Sequence, residues 1–398
     1  MSMFSAVAMA PRDPILGLNE QFAADTSPQK VNLGVGVYYD DEGKLPLLAC
    51  VRQAEQQMNA SPKARGYLPI DGIAAYDQAV KGLVFGATSE PVSSGRVATV
   101  QALGGTGGLK IGADFLRQLS PQAQVLISDP SWENHRALFT QAGFTVATYA
   151  YYDAARRGVN FDGMLAALQG AAAGTIVVLH ACCHNPTGYD ITPAQWDQVV
   201  AACKARQLVP FLDMAYQGFG HGIAEDGAVI GKFVAARLTF LVSTSFSKSF
   251  SLYGERVGAL SVLCQDKDEA ARVLSQLKIM IRTNYSNPPT HGGSVVAAVL
   301  GTPELRALWE KELGEMRVRI KQMRVALVDK LKAAGVKQDM SFITDQIGMF
   351  SYSGLSKDQM VRLRDEFSVY GTDTGRMCVA ALNSKNIDYV CQSIAKVI

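Results

Sequence analysis

The chain has 398 residues, is 48% hydrophobic and carries a net charge of +2, which suits a soluble globular protein with room for two domains and a large core. No long run of one charge sign occurs, so neither a nucleic-acid footprint nor a polybasic membrane patch is written into it. The seven cysteines (50, 182, 183, 203, 264, 378 and 391) form no Cys-x-x-Cys pair, and their odd count points to reduced thiols in a cytoplasmic protein.

The apolar start at residues 3–10 ends in Ala-Met-Ala, but the first positive charge, Arg12, follows that stretch instead of preceding it. That order is wrong for a secretory signal and fits a cytoplasmic start. No run reaches the roughly 18–20 apolar residues that a membrane helix needs.

From residue 97 onward, short apolar runs alternate with helical stretches: 97–100, 125–127, 175–179, 209–212, 238–242 and 257–262. Continuously apolar, β-rich runs of this length argue for an α/β domain around a mostly parallel sheet. In such sheets the ligand crevice lies beyond the carboxyl ends of the strands. Each polar motif below follows the end of one of these runs.

Gly-Gly-Thr-Gly-Gly at 104–108 follows the first run and opens a helical stretch. Glycines there let backbone amides approach a phosphate at a helix N-terminus. Asp129 lies about where a dinucleotide's ribose carboxylate belongs, yet Lys110 stands at the third glycine of the G-x-G-x-x-G spacing, which weakens a dinucleotide site. Trp132, after the second run, reads either as a core indole or as a ring stacked on a planar cofactor. His180, Cys182, Cys183 and His184 are too crowded to wrap one ion tetrahedrally, so no metal site is expected. Asn185-Pro-Thr-Gly188 reads better as a turn presenting the Asn185 amide.

Asp213 ends the fourth run, with Tyr216 three residues on. It reads either as the cap of the next helix or as the partner of a cation such as a pyridinium nitrogen. Lys248, in Ser-Phe-Ser-Lys after the fifth run, is placed where desolvation lowers an amine's pKa and leaves the nucleophilic lone pair that imine formation needs. Ser245, Ser247 and Arg256 surround it with phosphate-holding groups. An aldehyde carrying a phosphate is pyridoxal 5'-phosphate; the rival reading of this segment is a surface loop with a solvated lysine.

From 303 to 334 the spacing of Leu305, Trp309, Leu313, Met316, Ile320, Met323, Leu327 and Leu331 predicts one long amphipathic helix, with Gly335 as its C-cap. Its length suggests a passage into a smaller domain holding 348–353, a helix after Ser356 and a strand over 376–380.

Taken together and in order, these segments resemble the fold type I PLP-dependent aminotransferases of the aspartate/aromatic branch. The resemblance rests on residues 13–18, 31–36, Gly66-Tyr67, 104–107, 184–188, 213–219, 245–248, Arg256, 282–289 and Gly375-Arg376. Residues 246–258 and 375–380 look closer to the tyrosine/aromatic enzymes. It implies a large α/β domain with a mostly parallel central sheet flanked by helices, plus a smaller α/β domain drawn from both chain ends. The expected boundaries are 1–45 (N-terminal arm and part of the small domain), 46–310 (PLP domain) and 311–398 (small domain).

At matching positions the resemblance gives each residue a role. Lys248 holds the cofactor as a Schiff base and then carries the proton. Asp213 pairs the pyridine nitrogen, and Asn185 and Tyr216 contact the phenolic oxygen. Gly105, Thr106, Ser245 and Arg256 hold the phosphate, joined by Tyr67 of a second subunit in a homodimer. Trp132 stacks on the ring. Arg376, with Gly36 and Asn185, binds the substrate α-carboxylate, while Arg282, also contributed across the dimer, faces a second carboxylate. The implied reaction moves the amino group of aromatic and dicarboxylic amino acids to 2-oxoglutarate; the alternative is an aspartate aminotransferase with little aromatic activity. Thr372-Asp-Thr374 stands where relatives often carry a small Ser, which bears on substrate preference. A dehydrogenase leaves Lys248 without a role, and a DNA-binding regulator lacks its basic helix-turn-helix.

Overall fold

The computed structural model of the chain describes residues 2–398. Seven strands form the central sheet: β1 (Val97–Leu103), β2 (Gln124–Asp129), β3 (Thr145–Ala150), β4 (Ile176–His180), β5 (Val209–Met214), β6 (Phe240–Ser245) and β7 (Val257–Leu263). Their order is β1-β7-β6-β5-β4-β2-β3. Every pair from β6 to β3 is parallel, and β7 alone runs against both of its neighbours. The six apolar runs of the sequence are six of these strands. The seventh, β3, escaped the pattern because it is an edge strand, partly open to solvent, and threonines interrupt its apolar residues.

Both faces of the sheet are covered. Val177, Leu179, Leu212 and Val242 enter one buried cluster, while Ile176, Val178, Phe211 and Leu241 enter the other. Burial on both faces is why these strands read as unbroken hydrophobic runs. The register sets His180 beside Asp213 and Asp213 beside Ser243, lining up polar side chains near the carboxyl ends of three parallel strands.

The two chain ends meet. Val31–Asn32 pairs in parallel with Val369–Tyr370, and Phe350–Tyr352 pairs antiparallel with Arg376–Cys378. That last strand is shorter than the expected 376–380, because residues Val379–Ala381 turn into a 3-10 helix. The long helix forms as expected, over Pro303–Ala333, and Gly335 follows its cap at φ +89°. It runs unbroken through residue 310 but changes partners along its length. Trp309 stacks on Phe250 and Glu312 accepts the amides of Ala49 and Cys50, whereas farther on Lys330 pairs with Asp388.

Farther along that helix sits Arg324, 2% exposed and, among the described residues, with no carboxylate partner. Its guanidinium donates to the carbonyls of Ile343 (3.4 Å), Gly348 (2.8 Å) and Phe350 (2.5 Å), tying the segment that carries Phe350 to the helix. Burial pulls this guanidinium down to about 10. Arg324→Met is expected to strand those carbonyls and lower unfolding free energy by about 2–4 kcal/mol. Urea denaturation reads it; a loss below about 0.5 kcal/mol, the size of an ordinary surface change, would mean that the carbonyls find other donors.

Candidate active site

A cavity of about 580 Å³ opens beyond the carboxyl ends of β4, β5 and β6. Its walls include Gly36, Gly105, Thr106, Trp132, Asn185, Asp213, Tyr216, Ser245, Lys248, Arg256 and Arg376. Eleven expected site residues, scattered over more than 340 positions of sequence, thus share one space. Tyr67 and Arg282 do not line it. Tyr67 is 95% exposed, and Arg282 is exposed with its guanidinium on Ser286 of its own chain.

One end of the cavity is built for an anion. Helix α1 (Gly104–Leu119) begins here without a side-chain cap, so its first amides are free to face a ligand. Gly104 adopts φ +69°, and a Cβ on it would lie 2.5 Å from Arg256 Nη2. The close approach of backbone and guanidinium needs glycine. Ser245 Oγ and Ser247 Oγ lie alongside, the latter accepting from Arg256 Nη1 at 3.4 Å. Two donors of positive potential and a hydroxyl cluster fit a phosphate.

Lys248 opens only partly to this space, over the Tyr216 ring at 4.8 Å. Desolvation dominates its titration, and Arg256 and Arg376 add to the effect against the pull of Asp213; the amine falls to about 8. A substantial neutral fraction near physiological pH follows, as a nucleophile or proton carrier requires.

Asp213 is 5% exposed. Burial by itself pushes its carboxyl up, but the hydrogen bond and charge of His135, with Lys248 behind them, outweigh that and hold it below the ordinary carboxylate value. His135, on helix α2 (Glu133–Gln141), places Nε2 2.9 Å from Asp213 Oδ2. Since a carboxylate only accepts, Nε2 carries the proton, and Nδ1 faces the Ser131 hydroxyl at 2.9 Å. His180 lines the same wall with both ring nitrogens unpartnered among the described residues, and burial pulls it to about 3, so it stands neutral. Asp213 therefore meets a ligand ionised and braced, which is not how a simple helix cap is kept.

Arg376, 1% exposed, donates to Asn185 Oδ1 at 3.1 Å and to the Gly34 carbonyl at 2.7 Å, and its guanidinium lies 4.5 Å over the Phe350 ring. Asn185 Nδ2 in turn donates to the Tyr216 hydroxyl at 3.4 Å. Gly36 must be small here, since a Cβ would sit 2.7 Å from Phe350 Cζ.

His135, His180, Tyr253 and Phe350 border the cavity or touch Asp213, although sequence reasoning assigned none of them a part in it. His135 and His180 sit in motifs already singled out, three residues after Trp132 and at the end of a strand, so their positions were visible but their shared partner Asp213 was not. The Tyr253 hydroxyl accepts from Tyr38 N at 3.0 Å, and Phe350 is brought in by the pairing of the C-terminal strands.

The chain is 62% identical over 398 residues to the aspartate aminotransferase of Pseudomonas aeruginosa, covering all of both chains. To the aromatic-amino-acid aminotransferase of Escherichia coli it is 51% identical, covering 99% of this chain and all of the relative. Among solved structures, an aromatic-amino-acid aminotransferase of Burkholderia pseudomallei, covalently bound to pyridoxal phosphate, superposes with a TM-score of 0.97 at 67% identity over the full length of both. The family model described as aminotransferase class I and II matches residues 28–394, nearly the whole chain, and the protein belongs to that family.

Proposed function

We propose that this chain is a PLP-dependent transaminase that transfers the amino group of tyrosine and phenylalanine, and of dicarboxylic amino acids, to 2-oxoglutarate, acting as a cytoplasmic homodimer. The observation that carries the reading is Lys248: an amine pulled to about 8, sharing one cavity with an ionised Asp213, a buried Arg376 and an anion-ready helix N-terminus. Among the described residues no helix is long and apolar enough to cross a membrane.

Bound there, pyridoxal phosphate supplies an aldehyde carbon for the amine and a ring that takes up electrons from the substrate. The chain's residues do the rest. Gly105, Thr106, Ser245 and Arg256 hold the phosphate, and the Asp213 carboxylate keeps the ring nitrogen protonated. Asn185 and Tyr216 meet the phenolic oxygen, and Trp132 covers the ring face. Lys248 Nζ, as a neutral amine, would move the proton between the substrate α-carbon and the carbon that the cofactor presents. Arg376 fixes the α-carboxylate.

Tyr67 and Arg282 lie outside the cavity of their own chain, which supports their entering the site of a second copy. The relatives' names divide between aspartate and aromatic substrates. The 62% identity to an aspartate aminotransferase keeps an aspartate enzyme with little aromatic activity as the second reading.

The holoenzyme is expected to be yellow, and borohydride to fix the cofactor on Lys248. Peptide mapping that finds it on another lysine sinks the assignment. Capture of the aldehyde by the apoprotein is expected to quicken as pH rises through about 8 and to level off above it, since only the neutral amine attacks. A midpoint near the ordinary lysine value of 10.5 would mean that the amine is solvated.

Arg282 separates the two substrate classes. Only dicarboxylic substrates carry a second carboxylate, so Arg282→Ala is expected to lower kcat/KM for aspartate more than for phenylalanine, by a differential of about 2–4 kcal/mol. Arg376→Ala is expected to damage both alike. Equal losses for both substrates on removing Arg282 would make its role structural.

A further inference from the structure

Arg376 has an unmatched neighbour. Glu133, directly after Trp132 and the first residue of α2, lines the same cavity and places Oε2 3.9 Å from Arg376 Nη1. That oxygen is buried and, among the described residues, has no hydrogen-bond partner, and neither has Arg376 Nε. A charge-assisted hydrogen bond closes at about 2.7–2.9 Å, so this pair is held open by roughly 1 Å. Among the described residues no other cation lies within 4 Å of the Glu133 carboxylate. The first turn of a helix favours its negative charge, while Arg376 is fixed by Asn185 and the Gly34 carbonyl and does not move over to close the pair.

We infer that Glu133 is a positioning residue that acts through Arg376, as a built-in counter-ion that sets how tightly any carboxylate ligand is held there. The inference rests on reading Arg376 as the α-carboxylate site. A ligand carboxylate on the guanidinium meets the field of a second negative charge a few ångström away, and at that range the repulsion is large enough to matter. Glu133 therefore weakens ground-state binding and hastens departure of the product. Because every amino acid and 2-oxo acid substrate carries the α-carboxylate, the effect is common to all of them, unlike that of Arg282.

The test is Glu133→Gln in the holoenzyme. Gln keeps the size, removes the charge and suits the first turn of a helix. Two unreactive carboxylates, 3-phenylpropanoate and succinate, are titrated in while the visible absorption of the cofactor is followed, and steady-state rates are taken with phenylalanine and aspartate. Both Kd values are expected to fall by a similar factor, about five- to twentyfold for one like charge removed at this range. KM is expected to fall for both substrates while kcat does not rise. Unchanged Kd values, weaker binding, or a gain confined to succinate would overturn the inference. Arg376→Lys in the same titration separates the two claims. If it weakens both ligands and Glu133→Gln changes nothing, only the role of Glu133 fails; if it leaves binding intact, the reading of Arg376 fails. Should the Gln variant not load cofactor, Glu133→Ser gives the same readout.

Discussion

The site depends on keeping one carboxylate charged while one amine sheds its proton readily in the same buried space. Desolvation acts on both groups in the same sense, penalising the charged form. Lys248 yields to it, falling to about 8, and Asp213 does not. The difference lies in what each group touches. Asp213 is met by a proton on His135 Nε2, whereas Lys248 has the face of a tyrosine ring close by, and the pull of the Asp213 charge on it is opposed by two guanidiniums. Both titrations move down, which keeps the carboxylate charged and eases loss of the amine's proton, and strongly shifted groups in one cleft are a usual sign of a functional site.

Sheet register makes that contrast possible. Because β4, β5 and β6 are parallel neighbours, His180, Asp213 and Ser243 stand abreast, and the loops beyond them bring Asn185, Tyr216 and Lys248 to one opening. The remaining wall comes from the chain ends. Strand Arg376–Cys378 lies beside Phe350–Tyr352, and the backbone around Gly34 is held against it by Cys378 N on the Leu33 carbonyl at 2.7 Å. Arg324 then ties Phe350 to the long helix, so the wall that carries Arg376 and Phe350 has its own support apart from the sheet.

Much of this was legible in the sequence, for a reason that is physical. A strand buried on both faces shows as an apolar run, and a site at strand ends shows as polar residues directly after such runs, which is how Asp213, Asn185 and Lys248 stood out. The helix over Pro303–Ala333 was legible because its stripe repeats for many turns. What stayed hidden depends on contacts between distant segments. His135 and Asp213 are 78 positions apart, Arg376 and Asn185 191, and no periodicity joins them. Arg324 looks like any other charge on an amphipathic helix until the carbonyls around it are seen. Edge strand β3 was missed because exposure mixes its pattern.

The most direct measurement of the central claim is turnover by Asp213→Ala, made on protein shown to be folded and to carry its cofactor on Lys248. If the braced carboxylate holds the ring nitrogen in its protonated form, its loss removes stabilisation that matters chiefly in the transition state. The expected fall in kcat is then at least about a thousandfold, on the order of 4 kcal/mol. Near-normal kcat in a cofactor-replete variant would contradict this and return Asp213 to the role of a structural cap.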